Sequence, residues 1–493
     1  MTKRLCSLGG VIALLLPAAA FAGGPYLGNG IKTGEPTQNS VIVWTRLTDR
    51  TDVSPDGVPW PMIAPERDGD HWVFPGPVLP EGHKIEAMEW ALPGAPGEVR
   101  LNYWPESTSN MSQTTDWMPV DPAADFTRHF TLSGLAPGTT YRCVVESRAP
   151  GAAATADRIQ ATFQTAPALT ETSSVTFTVV TGQEFWRRDD ELNGHKIYPV
   201  MAGLKPDFFV HTGDIEYHDK PRPWAVTKEQ ARYKWNRIFA MPYQRAFHNE
   251  VASYFLRDDH DTWQNDCWPT QQNNKMGEFT YAQGVALFYE QVPGPDRERP
   301  WRTVRWGKDL QIWLVEGRDF RSPNDATDGP DKTIWGAEQK AWFKQTVEES
   351  DATFRILISP TPVVGPDRES KSDNHANDVF QHEGTELRAF MAAQKNMIVI
   401  CGDRHWQYVS VDPETGLREY STGPTSDEHA GGFSQDRREP MHQYLNVIGG
   451  FFACTAERKD GAPTLVLRHY NVAGEIVNED VLTPDQLVGP TSN

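Results

Sequence analysis

Three short blocks of acidic residues and histidine carry the clearest chemical signal in the sequence. They read HTGDIEY, RDDHD and CGDRHW, and they contribute Asp214, Asp259, Asp403 and His405. Carboxylate oxygens and imidazole nitrogens are the ligands that divalent cations take in proteins. Such cations neutralise the oxygens of a phosphate ester and deprotonate an attacking water near neutral pH. The blocks therefore predict a metal site suited to the hydrolysis of phosphate esters by a metal-activated water.

The elements that must position these blocks are apolar runs that each end in polar residues. Predicted strands of this kind begin near residues 175, 207, 252, 310, 354 and 397, and helical periodicity follows at 228–240, 337–350 and 384–394. Alternation of strands and helices is typical of sheets covered by helices. Ligands of open α/β sheets lie beyond the carboxyl ends of the strands. Because the three blocks lie at such ends, we expect them to converge although they are far apart in sequence.

The chain before residue 174 has the pattern of an all-β domain. Predicted strands at 40–47, 84–92 and 98–104 alternate or run apolar between Pro- and Gly-rich turns. In FTLSGLAPGTTYRCVVESR, Tyr141 opens a strand after a Pro-Gly turn, which predicts a tyrosine corner whose hydroxyl bonds back to the preceding loop. We therefore expect a fibronectin III/Ig-like sandwich domain over residues 25–166 and a catalytic domain over residues 174–483.

The first 22 residues have the pattern of a signal peptide. Lys3 and Arg4 precede an apolar run, and an A-x-A site ends at Ala22. The run is too short to span a bilayer, and we expect no membrane span after cleavage. An uncleaved anchor is the alternative reading. The sequence thus predicts an exported protein, periplasmic or extracellular.

The net charge and the cysteines exclude several functions. A formal charge of -19 repels polyanions, so binding to a nucleic acid duplex is not expected. The four cysteines of the mature chain include no C-x-x-C pair, which argues against a thiolate zinc site, and they allow three disulfide connectivities. We expect a small-molecule phosphate ester as substrate, and the sequence leaves the oligomeric state open.

The three blocks resemble the GDxxY, DDHE and GDxH motifs of PhoD-like alkaline phosphatases, which belong to the calcineurin-like metallophosphoesterase superfamily. GIKTGEPTQNSVIVWTRL resembles the opening of that family's β-sandwich domain, and EGRDFRSP its D-x-R-x-Y-R segment. The likeness follows the family's order over nearly the whole mature chain. It implies a four-layer metallophosphoesterase-type sandwich, with two central sheets flanked by helices, after the all-β domain.

The resemblance also implies roles for individual residues. Asp214 matches a metal-bridging Asp, Asp259 a ligand of the second metal, and Asp403 with His405 the last ligand pair. Within the catalytic group it implies His260, which assists departure of the leaving oxygen, together with Asp258 and Arg318. We expect the substrate to be contacted by Arg318, Tyr217 and Arg404. A buried salt bridge is the alternative role for Arg318.

Two departures from the family concern its iron site. The family's first strand ends in S-C-Q with an iron-binding Cys, whereas this chain reads VTGQEF with Gly182 at that place. The family's ligand Tyr in a Y-R pair is matched by Ala231, although Tyr233 is close. Gln183, Glu184 and Asp190 are nearby oxygen donors, His195 is a longer reach, and Gln183 is the expected replacement ligand. The resemblance thus implies divalent metal ions, with calcium as the expected cofactor and iron as the alternative despite its absent Cys and Tyr ligands.

Two other functions fit the same residues. The altered first site allows a hydrolase of a related ester, such as a phosphotriester, phosphonate or sulfate. A non-catalytic surface binding protein on the same scaffold is the alternative from another class, and the survival of His260, Asp403 and His405 argues against it.

Overall fold

A computed structural model describes residues 23–73, 79–436 and 438–487 of the 493-residue chain. The signal peptide predicted for residues 1–22 lies outside the described residues. Within the described ranges, strands β1 to β23 are, in chain order, Ile31–Gly34, Ser40–Arg46, Glu66–Asp68, His71–Val73, Glu98–Pro105, Gln113–Thr114, Met118–Pro119, Thr127–Ser133, Thr140–Arg148, Asp157–Gln164, Val175–Val180, Phe208–His211, Ser253–Phe255, Arg302–Trp306, Leu310–Leu314, Phe354–Ser359, Met397–Cys401, Gln407–Val411, Arg418–Thr422, His442–Asn446, Phe451–Lys459, Ala462–Tyr470 and Ile476–Leu482.

The described α-helices include the three that helical periodicity predicted. In chain order, α1 to α6 are Ile197–Gly203, Lys228–Ile238, Pro242–His248, Tyr281–Gln291, Gly336–Glu349 and Gln381–Ala393. Helices α2, α5 and α6 correspond to the predicted segments. Helix α2 begins at a capping box, in which Thr227 and Gln230 each satisfy a backbone N–H of the other.

Two large sheets pack face to face in the catalytic region. One has nine strands in the order β23-β22-β21-β11-β12-β13-β1-β2-β8, and the other has seven in the order β14-β15-β16-β17-β19-β18-β20. Buried side chains of both sheets meet between them, including Phe177, Val210, Ile312 and Ile398. Helices α1 and α3 cover the outer face of the larger sheet, and α5 and α6 cover that of the smaller one. The predicted four-layer α/β sandwich is confirmed.

The N-terminal region is a β-sandwich that shares a sheet with the catalytic region. Strands β1, β2 and β8 pack against the sheet β10-β9-β5-β6 around an apolar core that includes Val43, Leu101 and Val145. Strand β1 also pairs in parallel with β13, where Gly34 lies opposite Ser253. The tyrosine corner is confirmed, because the Ala136 N–H donates to the Tyr141 hydroxyl over 2.9 Å.

The strand predicted over residues 84–92 is wrong. A 3-10 turn at Ile85–Ala87 and the positive φ of Trp90 interrupt the extended backbone. Met88 packs beside Tyr233 of α2, and the Tyr233 hydroxyl donates to the carbonyl oxygen of Glu89. The apolar residues of this segment therefore bind a helix through an irregular backbone instead of forming a ladder.

The structure also bears on the disulfide connectivities and on the expected absence of a membrane span. Cys143, Cys267, Cys401 and Cys454 are all buried free thiols. Among the residues that the structure describes, none of the helices is both long and apolar enough to cross a membrane.

Candidate active site

The strand ends that carry the three blocks meet at one edge of the two sheets. Strands β11, β12 and β13 run parallel to one another, as do β15, β16 and β17. Asp214, Asp259 and Asp403 lie in the loops after β12, β13 and β17. A Cβ atom at Gly402 would stand 2.3 Å from Thr212 Oγ1, so a glycine there lets the two sheet edges approach. The convergence predicted from the strand-end pattern is present.

Asp214 lies at the centre of this edge and faces both halves of the site. Its Oδ2 accepts a hydrogen bond from the Tyr217 hydroxyl over 2.9 Å and lies 3.6 Å from His405 Nε2. On the other side, Asp214, Asp259 and His260 each offer a ligand atom within 4.8 Å of the other two. Asp214 therefore has candidate cation ligands on both of its sides.

The donors around Asp214 fit a divalent cation. Asp214, Asp258 and Asp403 form a second group whose ligand atoms lie within 4.8 Å of one another. Asp214 Oδ1 and Asp258 Oδ2 are buried and have no hydrogen-bond partner. Burial and the charge of Asp259 raise the pKa of Asp214 well above its ordinary value. Burying a carboxylate oxygen without a partner costs free energy, and a bound cation offsets that cost.

Asp403 and His405 approach from the second sheet. The Asp403 N–H donates to Thr181 Oγ1 over 3.1 Å, which fixes the loop after β17 against the end of β11. The His405 side chain has Nε2 3.2 Å from the Tyr217 hydroxyl. Both residues border a cleft of about 230 Å³.

His260 is held by a carboxylate that sequence reasoning missed. His260 Nδ1 donates to Asp219 Oδ1 over 2.6 Å, and both side chains are buried. Burial alone lowers the pKa of His260, but the charges of Asp219, Asp259 and Asp214 outweigh it and raise the pKa to about 10. Asp219 lies five residues after Asp214 in HTGDIEYHD, and no motif marks it. Its hydrogen bond fixes the imidazole orientation.

Arg318 does not reach the cleft, contrary to the expected substrate contact. Its side chain is fully buried, with Nε 2.5 Å from Asp258 Oδ1 and Nη2 3.3 Å from Asp373 Oδ2. Nη2 also lies 3.8 Å from Asp259 Oδ2. The alternative reading, a buried salt bridge, is the one observed. Arg318 therefore orients the carboxylates of the second block. Its ion pair with Asp258 holds the Asp258 side chain in place.

Arg404 is likewise buried away from the cleft. Its Nη1 donates to Asp367 Oδ1 over 2.8 Å and lies 2.7 Å from Oδ2, and its other nitrogen contacts the Asp403 carboxylate. This contact of one guanidinium nitrogen with both Asp367 oxygens fixes the 360–375 loop beside the third block. The cations that do border the cleft are Arg187, Lys220, Arg368 and Lys371. The expected substrate contact at Arg404 is therefore replaced by a positioning role.

Gln183 does not point at the metal donors. It is buried, and its Oε1 accepts a hydrogen bond from the Tyr198 hydroxyl of α1, while its backbone N–H donates to the Asp214 carbonyl over 2.7 Å. The next residue, Glu184, borders the cleft instead. His429, from the loop after β19, also borders the cleft.

The tyrosine of the site is Tyr217. Its hydroxyl lies between Asp214 and His405, within hydrogen-bond distance of both. Tyr233, the tyrosine near the expected ligand position on α2, instead binds the Glu89 carbonyl in the N-terminal region. A phenol is thus present beside Asp214 and His405, although α2 does not supply it.

Comparison with known proteins identifies the same architecture. Residues 177–447 match the model of the PhoD-like phosphatase family, and residues 15–167 match that of its N-terminal domain. The chain is 21% identical over 321 residues to alkaline phosphatase D of Bacillus subtilis (strain 168). That match covers 52% of this chain and 54% of the relative, so it spans about half the length of each.

Two solved structures share the fold. The structure of PhoD has a TM-score of 0.70 at 17% identity and covers 97% of this chain and 94% of its own. A purple acid phosphatase from yellow lupin seeds has a TM-score of 0.61 at 12% identity, with 94% and 77% of the two chains covered. Both the N-terminal sandwich and the catalytic layers therefore have solved counterparts.

Proposed function

Because this chain belongs to the PhoD-like phosphatase family, we propose that it is a metal-dependent phosphoric ester hydrolase of the alkaline phosphatase or phosphodiesterase type. The observation that carries the proposal is the convergence of three distant blocks on Asp214. Asp259 and Asp403 each have a ligand atom within 4.8 Å of an Asp214 carboxylate oxygen, and His405 Nε2 lies 3.6 Å from one. A turn or capping role for these residues would not require them to meet.

The chain's own groups support hydrolysis in three ways. Asp214, Asp259, Asp403 and His405 provide cation ligands, and a bound divalent cation supplies charge neutralisation of the ester and activation of water. His260 presents its cleft-facing nitrogen for proton donation to the leaving oxygen. Lys220, Arg368 and Lys371 border the cleft and attract an anionic ester. The substrate we propose is therefore a small phosphate ester that fits a cleft of about 230 Å³.

Two kinds of cation suit the two sides of Asp214. The group formed by Asp214, Asp258 and Asp403 offers only carboxylate oxygens, which favour a hard cation such as calcium. The side formed by Tyr217 and His405 adds a phenol and an imidazole, which suit iron or another borderline ion.

The test is loss of turnover without loss of fold. We expect Asp214→Asn and His405→Ala each to lower kcat/KM for aryl phosphate mono- and diesters by at least about 10³-fold, since metal activation of water contributes several kcal/mol. Their circular dichroism and thermal unfolding should match the wild type within a few degrees.

Asp309→Asn is the control, because Asp309 pairs with Arg458 beside the start of β15, at the opposite edge of the sheet. Wild-type turnover in either active-site variant, with metal content measured, would reject the assignment. A panel with phosphotriester and sulfate substrates separates the related ester hydrolases. A wild-type chain that binds no metal and cleaves none of them supports a binding protein instead.

Export is proposed from the sequence alone. The basic start, the apolar run and the A-x-A site predict cleavage before Gly23. We expect mass spectrometry of the protein from periplasm or medium to find Gly23 as the first residue. Cytoplasmic protein that begins at Met1 would contradict export.

A further inference from the structure

The place of the family's absent cysteine is open towards His405. Gly182 has a φ of +59°, and a Cβ atom built on it would lie 3.2 Å from His405 Nε2. A side chain there would contact the imidazole that faces Asp214, and its backbone conformation is one that L-residues adopt at a cost. Glycine therefore leaves room beside His405 for a group from elsewhere in the chain.

His429 fills the space beside His405. The two imidazole rings have centroids 4.1 Å apart, and the His429 ring lies 5.3 Å from that of Tyr217. His429 is 3% exposed, so its ring is enclosed by these neighbours. It comes from the 423–432 loop, which is tied to the end of β11 by hydrogen bonds from Thr425 to the Gly182 carbonyl.

The hydrogen bond of His429 determines its tautomer. His429 Nδ1 lies 3.0 Å from the Gly182 carbonyl oxygen, which only accepts, so Nδ1 carries the proton. The lone pair is then on Nε2. Nε2 lies 3.8 Å from Glu184 Oε2, which is too long for a hydrogen bond. Histidines that bind metals usually donate their other N–H to a carbonyl or carboxylate in this way.

Glu184 adds a carboxylate beside His429 and His405. It borders the cleft, and its Oε2 is 3.0 Å from Arg187 Nε as well as 3.8 Å from His429 Nε2. Together with Asp214, Tyr217 and His405, the donors on this side are nitrogens and oxygens without a thiolate. Two imidazoles favour a borderline first-row transition ion over calcium.

We propose that His429 and Glu184 complete the first metal site in place of the family's cysteine, so that this site binds a nitrogen-preferring transition ion. The inference rests on the proposed metal-dependent function. It adds two ligands, His429 and Glu184, which occupy the space that the missing side chain of Gly182 leaves beside His405. This inference does not depend on cation binding by the carboxylate group of Asp214, Asp258 and Asp403.

The experiment measures binding of Co²⁺ instead of turnover. The full-length mature protein is stripped with a chelator, saturated with Ca²⁺ and titrated with Co²⁺, with visible absorption and elemental analysis as readouts. We expect one Co²⁺ per wild-type chain with ligand-field bands. His429→Ala and His429→Gln should weaken binding at least about 10-fold, the loss that even a hydrogen-bond partner of a metal ligand can cause. Glu184→Gln should weaken it and alter the bands.

A matched control separates ligation from packing. His469→Ala also removes a buried imidazole that is bound to a backbone carbonyl, that of Ser421, but His469 lies outside the cleft. It should bind Co²⁺ as the wild type does. Added imidazole should restore the bands of His429→Ala, which a packing role does not predict. Circular dichroism identifies a variant that fails to fold. If one His429 variant does so, Co²⁺ binding by the other His429 variant provides the test.

Each result has one meaning. Wild-type Co²⁺ affinity and spectrum in the folded His429 variants would overturn this inference and leave the proposed hydrolase intact. A wild-type chain that binds Ca²⁺ and hydrolyses esters but takes no Co²⁺ would also overturn it alone. A wild-type chain that binds neither ion would overturn both.

Discussion

At the active centre, His260 depends on one neighbour for its orientation. Asp219 accepts the Nδ1–H over 2.6 Å, so the other ring nitrogen is left for the cleft that His260 borders. A proton donor matters most when the leaving oxygen is a poor leaving group. Esters whose leaving groups differ in their need for a proton therefore test whether Asp219 and His260 act together in proton donation.

We expect Asp219→Asn to lower kcat for an alkyl phosphate ester by about 10²-fold, the low end of general acid catalysis. The loss for the matching 4-nitrophenyl ester should be much smaller, because nitrophenolate leaves without a proton. Metal content should stay unchanged. Steady-state kinetics on the two esters provide the measurement, with Asp309→Asn as the control. Equal losses on both esters would show that Asp219 does not act through proton donation.

The sequence predicted the residues of the site better than their contacts. Asp214, Asp259, Asp403 and His405 were identifiable because a motif at a strand end is a local pattern. Arg318 and Arg404 were assigned to the substrate, although both are buried against carboxylates. Which charge an Arg side chain pairs with depends on folding distant segments together, so spacing along the chain does not reveal it. The same reason hid Asp219 and the contact of His429 with His405.

At the scale of elements, Glu383 of α6 fastens the helix to the segment before α5 and to the loop that contains His375. It accepts a hydrogen bond from the Ile334 N–H over 2.6 Å and lies 3.0 Å from His375 Nε2. Burial raises its pKa, but the hydrogen bond and charge of His375, with the donors of Thr333 and Ile334, lower the pKa to about 2. A carboxylate with a lowered pKa contributes stability above its ordinary pKa of 4.5, and this is lost as pH falls towards 2.

We expect Glu383→Gln to be less stable than the wild type at pH 7, because the neutral amide loses the charge-assisted hydrogen bonds that the carboxylate accepts. The difference in unfolding free energy should shrink by roughly 2 kcal/mol between pH 7 and pH 3, as the wild-type carboxylate loses its advantage. Urea unfolding at both pH values measures it. Glu386→Gln, on the same helix but 36% exposed with Lys340 and Lys344, should show a much smaller change. A gap for Glu383→Gln that stays constant with pH would contradict the assignment.

Elements with a strong period were predictable, and irregular ones were not. Helices α2, α5 and α6 follow the predicted segments because an amphipathic period is written in adjacent residues. Residues 84–92 have apolar residues at a strand-like spacing but pack against α2 through Met88 and the Glu89 carbonyl. Tertiary contact with a helix overrode a local β pattern there.

At the scale of the molecule, the two regions are joined by hydrogen-bonded strands as well as by a linker. Strand β1 of the N-terminal sandwich pairs with β13, whose carboxyl end leads to Asp259, so one sheet runs through both regions. The sequence predicted two consecutive domains, because turn signals and composition mark the change near residue 174. A parallel pairing between residues 34 and 253 leaves no such local trace.

An ion pair across this junction predicts how the chain unfolds. Arg302 of β14 binds Glu35, which follows β1, with Nε 2.8 Å from Oε2 and Nη2 2.5 Å from Oε1, and it also donates to the Phe255 carbonyl. We expect a single calorimetric transition for the wild type, since the shared sheet couples the regions. Arg302→Ala should lower the free energy of unfolding by about 1–3 kcal/mol, because the partly buried Glu35 carboxylate would lose its hydrogen-bonding partner. Arg299→Ala, from an exposed pair with Glu338, should change stability by less than about 1 kcal/mol. Two separate transitions in the wild type, or equal effects of the two variants, would show that the junction does not couple the regions.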